Sequence, residues 1–130
     1  MLEGSGVLVL TYPGKKIVTY KGEFKNDKKH GKGELSSVDF DTKREIIEKT
    51  VGTWAKGKMQ GNCVVIKQDG SHFHGHYENG KRDGYGFERR SDTMWVEGIW
   101  RDNKISPCDV WAQSTSAWKH QPGFTEQGKS

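Results

Sequence analysis

One stretch of the chain, residues 73–86, reads FHGHYENGKRDGYG. Its first half alternates, so that Phe73, Gly75 and Tyr77 share one face of an extended strand. Asn79-Gly80 comes next, and this pair is typical of a tight hairpin turn because both residues tolerate positive φ. Two glycines then open a second strand, where missing side chains allow a close backbone approach. The stretch therefore predicts a β-hairpin.

The same pattern recurs along the chain, with copies that start near residues 20, 50, 73 and 96. Each copy has a glycine two residues after its start and an aromatic residue two positions later: Gly22 and Phe24, Gly52 and Trp54, Gly75 and Tyr77, Gly98 and Trp100. Each turn is followed by a lysine, and the return strand opens with glycine in all copies but the last. A period in this range indicates an array in which each unit is one supersecondary element.

These copies resemble the MORN repeat (membrane occupation and recognition nexus). The segments that carry the resemblance are YKGEF at 20–24, HGKG at 30–33 and the whole of 73–86. The usual form of that repeat is an aromatic-x-Gly-x-aromatic strand, a Gly-Lys turn and a Gly-x-Gly return strand. The resemblance covers residues 4–104, and with the periodicity it predicts an all-β fold: a single-layer, twisted array of antiparallel β-hairpins.

The predicted array occupies residues 1–104 and begins with half a repeat. Gly4-Ser5-Gly6 stands at the Gly-x-Gly position of a return strand, so the array starts in the middle of a unit. A first strand without a partner would be an exposed edge, and the sequence leaves open both dimerisation through it and a longer parent protein. The longer connection at 36–49 predicts an extended hairpin, with a short helix over 43–49 as the alternative.

Residues 105–130 depart from the repeat and form the predicted C-terminal cap or tail. Ser106 and Pro107 have the form of a helix start, which predicts a short helix near 107–119. Trp111 and Trp118 would lie on its apolar stripe and cover the last hairpin. The alternative is a tryptophan-bearing peptide that docks on a partner.

The composition is consistent with a thin intracellular repeat protein. The 130 residues suffice for one domain, and 32% hydrophobic residues with 17 glycines leave little material for a thick core. No apolar run is long enough to span a membrane, and the N-terminus shows no basic n-region or long apolar h-region, so secretion is not expected. Cys63 and Cys108 give no disulfide framework. These features predict a cytoplasmic location, with membrane or cytoskeletal association as a further expectation.

No catalytic or cofactor-binding motif appears in the sequence, so neither enzymatic activity nor a cofactor is expected. His72, His74 and His76 share one face of a strand, and two such imidazoles can reach one zinc or nickel ion. No cysteine or carboxylate is evidently placed to complete that site. We therefore predict that the histidines form an ordinary polar face and not a metal site.

The aromatic stripe is the main predicted binding surface. Each ring can pack over a glycine of its neighbour, and the same stripe would line a shallow groove along the sheet. Similar repeats accept partner segments in such grooves, so the resemblance implies a non-enzymatic scaffold or interaction module for a protein partner. The predicted groove residues are Tyr20, Phe24, Trp54, Phe73, Tyr77 and Trp100.

The alternative function is a peripheral membrane module. Phosphoinositide binding is often suggested for similar repeats, and the cations that would contact anionic lipid here are Lys28, Lys29, Lys81 and Arg82. Acidic neighbours dilute these cations, whereas lipid recognition normally needs contiguous clusters. A regulatory segment of a larger protein is a further alternative. Nucleic acid is not an expected partner, because the cations lie at turns and not between the rings.

Overall fold

The computed structural model describes residues 2–42 and 45–114. Nine strands form one antiparallel sheet in which the strands follow each other in sequence order. This arrangement confirms the predicted all-β array of hairpins. The strands are β1 (Gly4–Tyr12), β2 (Lys16–Lys25), β3 (Lys28–Asp39), β4 (Ile46–Ala55), β5 (Lys58–Lys67), β6 (His72–Glu78), β7 (Lys81–Arg89), β8 (Trp95–Trp100) and β9 (Val110–Gln113).

Four two-residue turns have positive φ at both central positions, as type I′ hairpin turns require. In the third repeat Asn79 has φ of 52° and Gly80 has φ of 84°. Such turns match the right-handed twist of the strands, which explains why asparagine, aspartate and glycine occupy most of these positions. The other three pairs are Asn26 with Asp27, Lys56 with Gly57, and Asp102 with Asn103.

The turns also join consecutive repeats. The backbone N–H of Gly57 donates to the carbonyl of Lys29 at 3.0 Å, which ties the second repeat to the first. Gly80 donates in the same way to Met59 at 2.9 Å. Asn103 repeats this bond with the carbonyl of Arg82, again at 2.9 Å. Each turn is therefore fixed against the return strand of the preceding repeat.

One face of the sheet, here called the glycine face, carries a row of glycines across the strands. Phe73 packs its ring over two of them: a Cβ on Gly75 would lie 2.6 Å from Phe73 Cζ, and a Cβ on Gly86 would lie 2.7 Å from Phe73 Cε1. The ring belongs to the same strand as Gly75, and not to a neighbouring hairpin as the sequence suggested. The first repeat has the same arrangement with Tyr20, Gly22 and Gly33.

The second repeat fills this space in another way. Thr50 stands where the first and third repeats have a ring, and Cys63 replaces the glycine of the return strand. A Cβ on Gly52 would lie 2.5 Å from Cys63 Sγ, so the thiol occupies the volume that a ring takes elsewhere. Burial raises the pKa of the Cys63 thiol, as expected for a side chain used for packing.

The predicted C-terminal helix is wrong over the described residues. Pro107–Asp109 make one 3₁₀ turn, and Val110–Gln113 then continue as β9 against β8. The helix-start signal at Ser106 is satisfied by this single turn, because Val110 and Trp111 favour a strand and an open sheet edge is available. The sheet therefore extends beyond the predicted boundary at residue 104. Residues 115–119, including Trp118, lie outside the described chain.

Among the described residues, Ile105 and Val110 close the end of the array, and Trp111 does not. Ile105 is buried, and its Cδ1 would lie 3.0 Å from a Cβ on Gly98. Val110 covers the same glycine, whereas Trp111 is exposed. In the longer connection, β3 ends at Asp39 and β4 begins at Ile46, so the predicted extended hairpin is confirmed and a helix over 46–49 is excluded.

We expect Thr50→Tyr alone to lower the free energy of unfolding by about 1–3 kcal/mol, because the new ring would overlap Cys63. Adding Cys63→Gly supplies the space found in the first and third repeats, so the double variant should regain most of that loss. Urea denaturation of the two single variants and the double variant measures the coupling. If the unfolding free energies of the two single variants simply added in the double variant, the ring and the thiol would not occupy the same space, which would contradict this interpretation.

Candidate interaction surfaces

The aromatic stripe forms the core of the sheet. The rings contact each other edge to face: Phe73 lies 5.6 Å from Tyr77 and 5.1 Å from Trp100 between centroids, and Tyr20 lies 5.3 Å from Trp54. All six predicted groove residues are only 1–5% exposed. Their contact with a partner stays a prediction, and it would require these rings to be uncovered first. The six are Tyr20, Phe24, Trp54, Phe73, Tyr77 and Trp100.

Charged side chains cover part of this core in the third repeat. The guanidinium carbon of Arg82 lies 4.0 Å from the Phe73 ring centroid, a cation–π distance. Glu88 binds Arg82 through one carboxylate oxygen and Arg90 through the other, each at 3.1 Å. Glu88 occupies the position that Val65 has in the preceding repeat, since Glu88 pairs with Phe73 as Val65 pairs with Thr50. An ion cluster thus replaces aliphatic packing at this point.

A small cavity lies beside the ion cluster on the glycine face. Its volume of about 20 Å³ is the space of a single water molecule. The lining includes Phe73, Arg82, Glu88 and Val65. This cavity is therefore too small to bind an organic ligand without rearrangement.

The four cations predicted to contact lipid do not form one patch. Lys81 Nζ binds Asp102 at 2.9 Å, and this bond lowers the pKa of that carboxyl. Arg82 is engaged with Glu88, and Lys29 Nζ lies 5.7 Å from the Tyr20 ring centroid. Strands β3 and β7, which carry the two pairs, lie four strands apart, or about 19 Å at the usual strand spacing. Lys28 is exposed at the start of β3.

The three histidines lie on the opposite face of the sheet, here called the histidine face. The rings of His72 and His74 are 4.9 Å apart between centroids, whereas His76 Nδ1 lies 2.9 Å from the carbonyl oxygen of Asp83. Desolvation, and then the neighbouring His72, lower the pKa of His74. Within residues 2–42 and 45–114, no three histidine, cysteine or acidic side chains are grouped so that they could hold a metal ion.

An aromatic ridge, formed by Tyr85, Phe87, Trp95 and Trp111, stands on the histidine face. Phe87 stacks on Trp95 with 5.8 Å between centroids, and Tyr85 packs against Trp111 at 5.3 Å. Trp111 is 62% exposed and Tyr85 is 44% exposed. The Tyr85 hydroxyl donates to Glu97 Oε2 at 2.6 Å, which raises the pKa of Tyr85 and holds its ring.

The sequence contained a signal for this ridge. Tyr85 and Phe87 flank Gly86, so alternation places both on the face opposite the glycine row. The first and second copies have no aromatic residue at the equivalent positions, so the repeat pattern does not indicate these two. Two further exposed apolar residues, Val51 and Ile66, lie on the same face.

A single open sheet, built from hairpin repeats with rings packed over glycines, defines a β-hairpin repeat protein. The family model of the MORN repeat matches residues 20–42, 51–72 and 73–93, about half of the chain. The chain therefore belongs to the MORN-repeat family. No individual curated protein matches it at a significant level. Such repeats are consistent with a protein- or membrane-interaction module.

The fourth copy lies beyond the segments that the family model matches. It nevertheless keeps the glycine, at Gly98, and the positive-φ turn at Asp102 and Asn103. The described chain contains no helix that is long and apolar enough to cross a bilayer.

The ion cluster gives a testable prediction. We expect Glu88→Val alone to lower the free energy of unfolding by roughly 1–3 kcal/mol, because it leaves Arg82 desolvated without its carboxylate. Adding Arg82→Met recreates the Met59 and Val65 pair of the preceding repeat and should restore stability. Thermal and urea unfolding of both variants measure this. A double variant less stable than Glu88→Val would contradict the structural equivalence of the two repeats.

Proposed function

We propose that this chain is a non-enzymatic protein-interaction module, a scaffold that holds a partner protein through the aromatic ridge of the histidine face. The proposal keeps the class of function expected from the sequence and moves the contact surface to the other side of the sheet. A cytoplasmic setting, and a role as the regulatory segment of a larger protein, are compatible with it.

The proposal rests on the solvent exposure of the aromatic side chains in the ridge. Tryptophan and tyrosine dominate the energetic centres of protein interfaces, because they bury much area at little cost in conformational entropy. Trp111 packs against Tyr85, and Tyr85 is anchored by its hydrogen bond to Glu97, so this pair of rings is held in place before a partner arrives. Preorganisation of this kind lowers the cost of binding.

The glycine face is less suited to this role. Its rings already contact one another and the glycines, so a partner that engaged them would first have to open the core. Deep burial of six aromatic side chains accounts for much of the stability of a thin sheet. The face can still contact a partner through its covering charges, Arg82 and Arg90 among them.

The charge distribution favours protein over lipid. Lys81 is paired with Asp102 and Arg82 with Glu88, so binding to anionic headgroups would compete with existing ion pairs. The formal net charge is +4, and the two signs are interspersed along the chain. At physiological salt the screening length is about 8 Å, so the charges of Lys28 and Lys81 do not act together on one lipid headgroup.

The ridge can be tested by quantitative affinity purification from cells. We compare the wild-type chain with Trp111→Ala/Tyr85→Ala, and use Ile66→Ala as the matched control because Ile66 is also 44% exposed and lies on the same face. Specific partners should be lost with the ridge variant and retained with the control. For a purified partner, Trp111→Ala should weaken binding by about 2 kcal/mol or more.

Circular dichroism of each variant must match the wild type, since the ridge side chains lie outside the buried core. Partners that bind the ridge variant and the wild type equally would refute the proposed contact surface. Equal loss with Ile66→Ala would show that the whole histidine face, and not the ridge, determines binding.

The lipid alternative has its own measurement. We expect little sedimentation of the wild-type chain with phosphatidylserine or phosphoinositide liposomes at physiological salt, because Lys81 and Arg82 are in ion pairs and the four cations are dispersed. A variant with Lys28, Lys29, Lys81 and Arg82 changed to glutamine is the comparison. Strong, headgroup-selective sedimentation that this variant loses would favour the membrane function over the protein-binding one.

A further inference from the structure

Strand β1 has the structural role of a return strand. It pairs Gly4 with Phe24 and Gly6 with Gly22, just as β3 pairs Gly31 with Trp54 in the next repeat. Gly4 also has positive φ, at 73°, as expected for the opening glycine of a return strand. The N–H of Asp27 donates to Leu2 at 3.1 Å, which reproduces the bond that joins the later repeats.

The free edge of β1 lacks the devices that normally protect a sheet edge. In the described chain, β1 has a hydrogen-bonded neighbour only on the β2 side. No charged residue lies between Gly4 and Tyr12, although 29% of the chain is charged. Native edges are usually blunted by lysine, proline or a bulge. Four large apolar side chains on β1 are 44–63% exposed: Val7, Val9, Leu10 and Tyr12.

Two glycines of β1 have unused space above them. A Cβ on Gly6 would meet only Phe24, at 3.6 Å, and a Cβ on Gly4 would meet nothing within 4 Å. By contrast, the equivalent Gly33 lies directly under the ring of Tyr20. Nothing in the described chain therefore requires Gly6 to be a glycine, which points to a side chain supplied from outside.

We propose that β1 pairs antiparallel with β1 of a second copy of this chain, with Leu8 on the two-fold axis. In this register Leu10 lies opposite the partner's Gly6, and Tyr12 lies opposite the partner's Gly4. Alternation places these residues and Leu8 on the glycine face, so the exposed large side chains meet the two open glycines. Val7 meets the partner's Val9 on the histidine face.

The chemistry of the strand favours a copy of itself over other occupants. Leu10 and Tyr12 each have a complementary glycine in the same strand, and the two-fold axis forms each of these two pairs twice. An uncharged strand brings no like charges together across the axis. The pairing is isologous and closed, so it yields a dimer with one continuous sheet and not a fibre.

Sedimentation velocity of the full chain over a micromolar concentration series tests the proposal. We expect a concentration-dependent species of twice the 14.7 kDa chain mass. Gly6→Val should weaken self-association about tenfold or more, because it fills the site of the partner's Leu10. Ser5→Val is the matched control: it adds the same side chain on the other face and should leave the dimer intact.

Circular dichroism at low concentration should show that Gly6→Val folds normally, since its Cβ makes only an ordinary contact with Phe24. A wild-type chain that stays monomeric throughout the series would overturn the proposal. A dimer that Gly6→Val does not weaken would overturn it as well, because the dimer would then use another surface.

Cross-linking tests the register. In a Cys108→Ser background, Leu8→Cys should form a disulfide-linked dimer on mild oxidation, because two directly opposed Cβ atoms lie roughly 5 Å apart. Val9→Cys should not, because it faces the partner's Val7. Efficient cross-linking through Val9→Cys in place of Leu8→Cys would overturn this pairing.

Discussion

The packing of an aromatic ring over two glycines is the interaction on which the sheet depends. Phe73 lies over Gly75 of its own strand and Gly86 of the next, where even a Cβ atom would collide with the ring. A single layer has no second sheet to bury its apolar face, so the face must cover itself. Rings that pack against the backbone provide that cover, and the glycines make the close approach sterically feasible.

This constraint explains which substitutions the repeats tolerate. Where a ring is missing, as at Thr50, the facing glycine is replaced by Cys63, and the space stays filled. Where the aliphatic residue of the return strand becomes Glu88, Arg82 and Arg90 pair with its carboxylate, and Arg82 lies over the Phe73 ring. Packing volume is conserved more strictly than chemical type, as is usual for protein cores.

Local signals allowed much of the fold to be predicted from sequence. Asn79-Gly80 specifies a type I′ turn through its backbone preferences, and strand alternation follows from residues close in sequence. The burial of Trp54 and Tyr77 could not be predicted in the same way, because it depends on how far the whole sheet curls over its own rings. Pattern alone shows that residues share a face, and it does not show whether that face is open or covered.

The predicted C-terminal helix was wrong for a related reason. Ser106 and Pro107 are a genuine start signal, but one 3₁₀ turn already satisfies it. From Val110 onward the chain could continue as a helix or pair with β8. It pairs with β8 because the tertiary structure offers an open strand edge there, which local sequence does not reveal. The ridge at Trp111 likewise exists only because β9 brings that residue beside Tyr85.

The sequential order of the strands has a consequence for how the chain folds. Every strand pairs with its immediate neighbours in sequence, so no long loop has to close before native contacts form. Low contact order of this kind favours rapid folding for a β protein, a class that is usually slow. Folding can nucleate at any hairpin and spread in both directions, one strand at a time, as in other linear arrays. Damage at either end would then fray the array locally and leave the central hairpins intact.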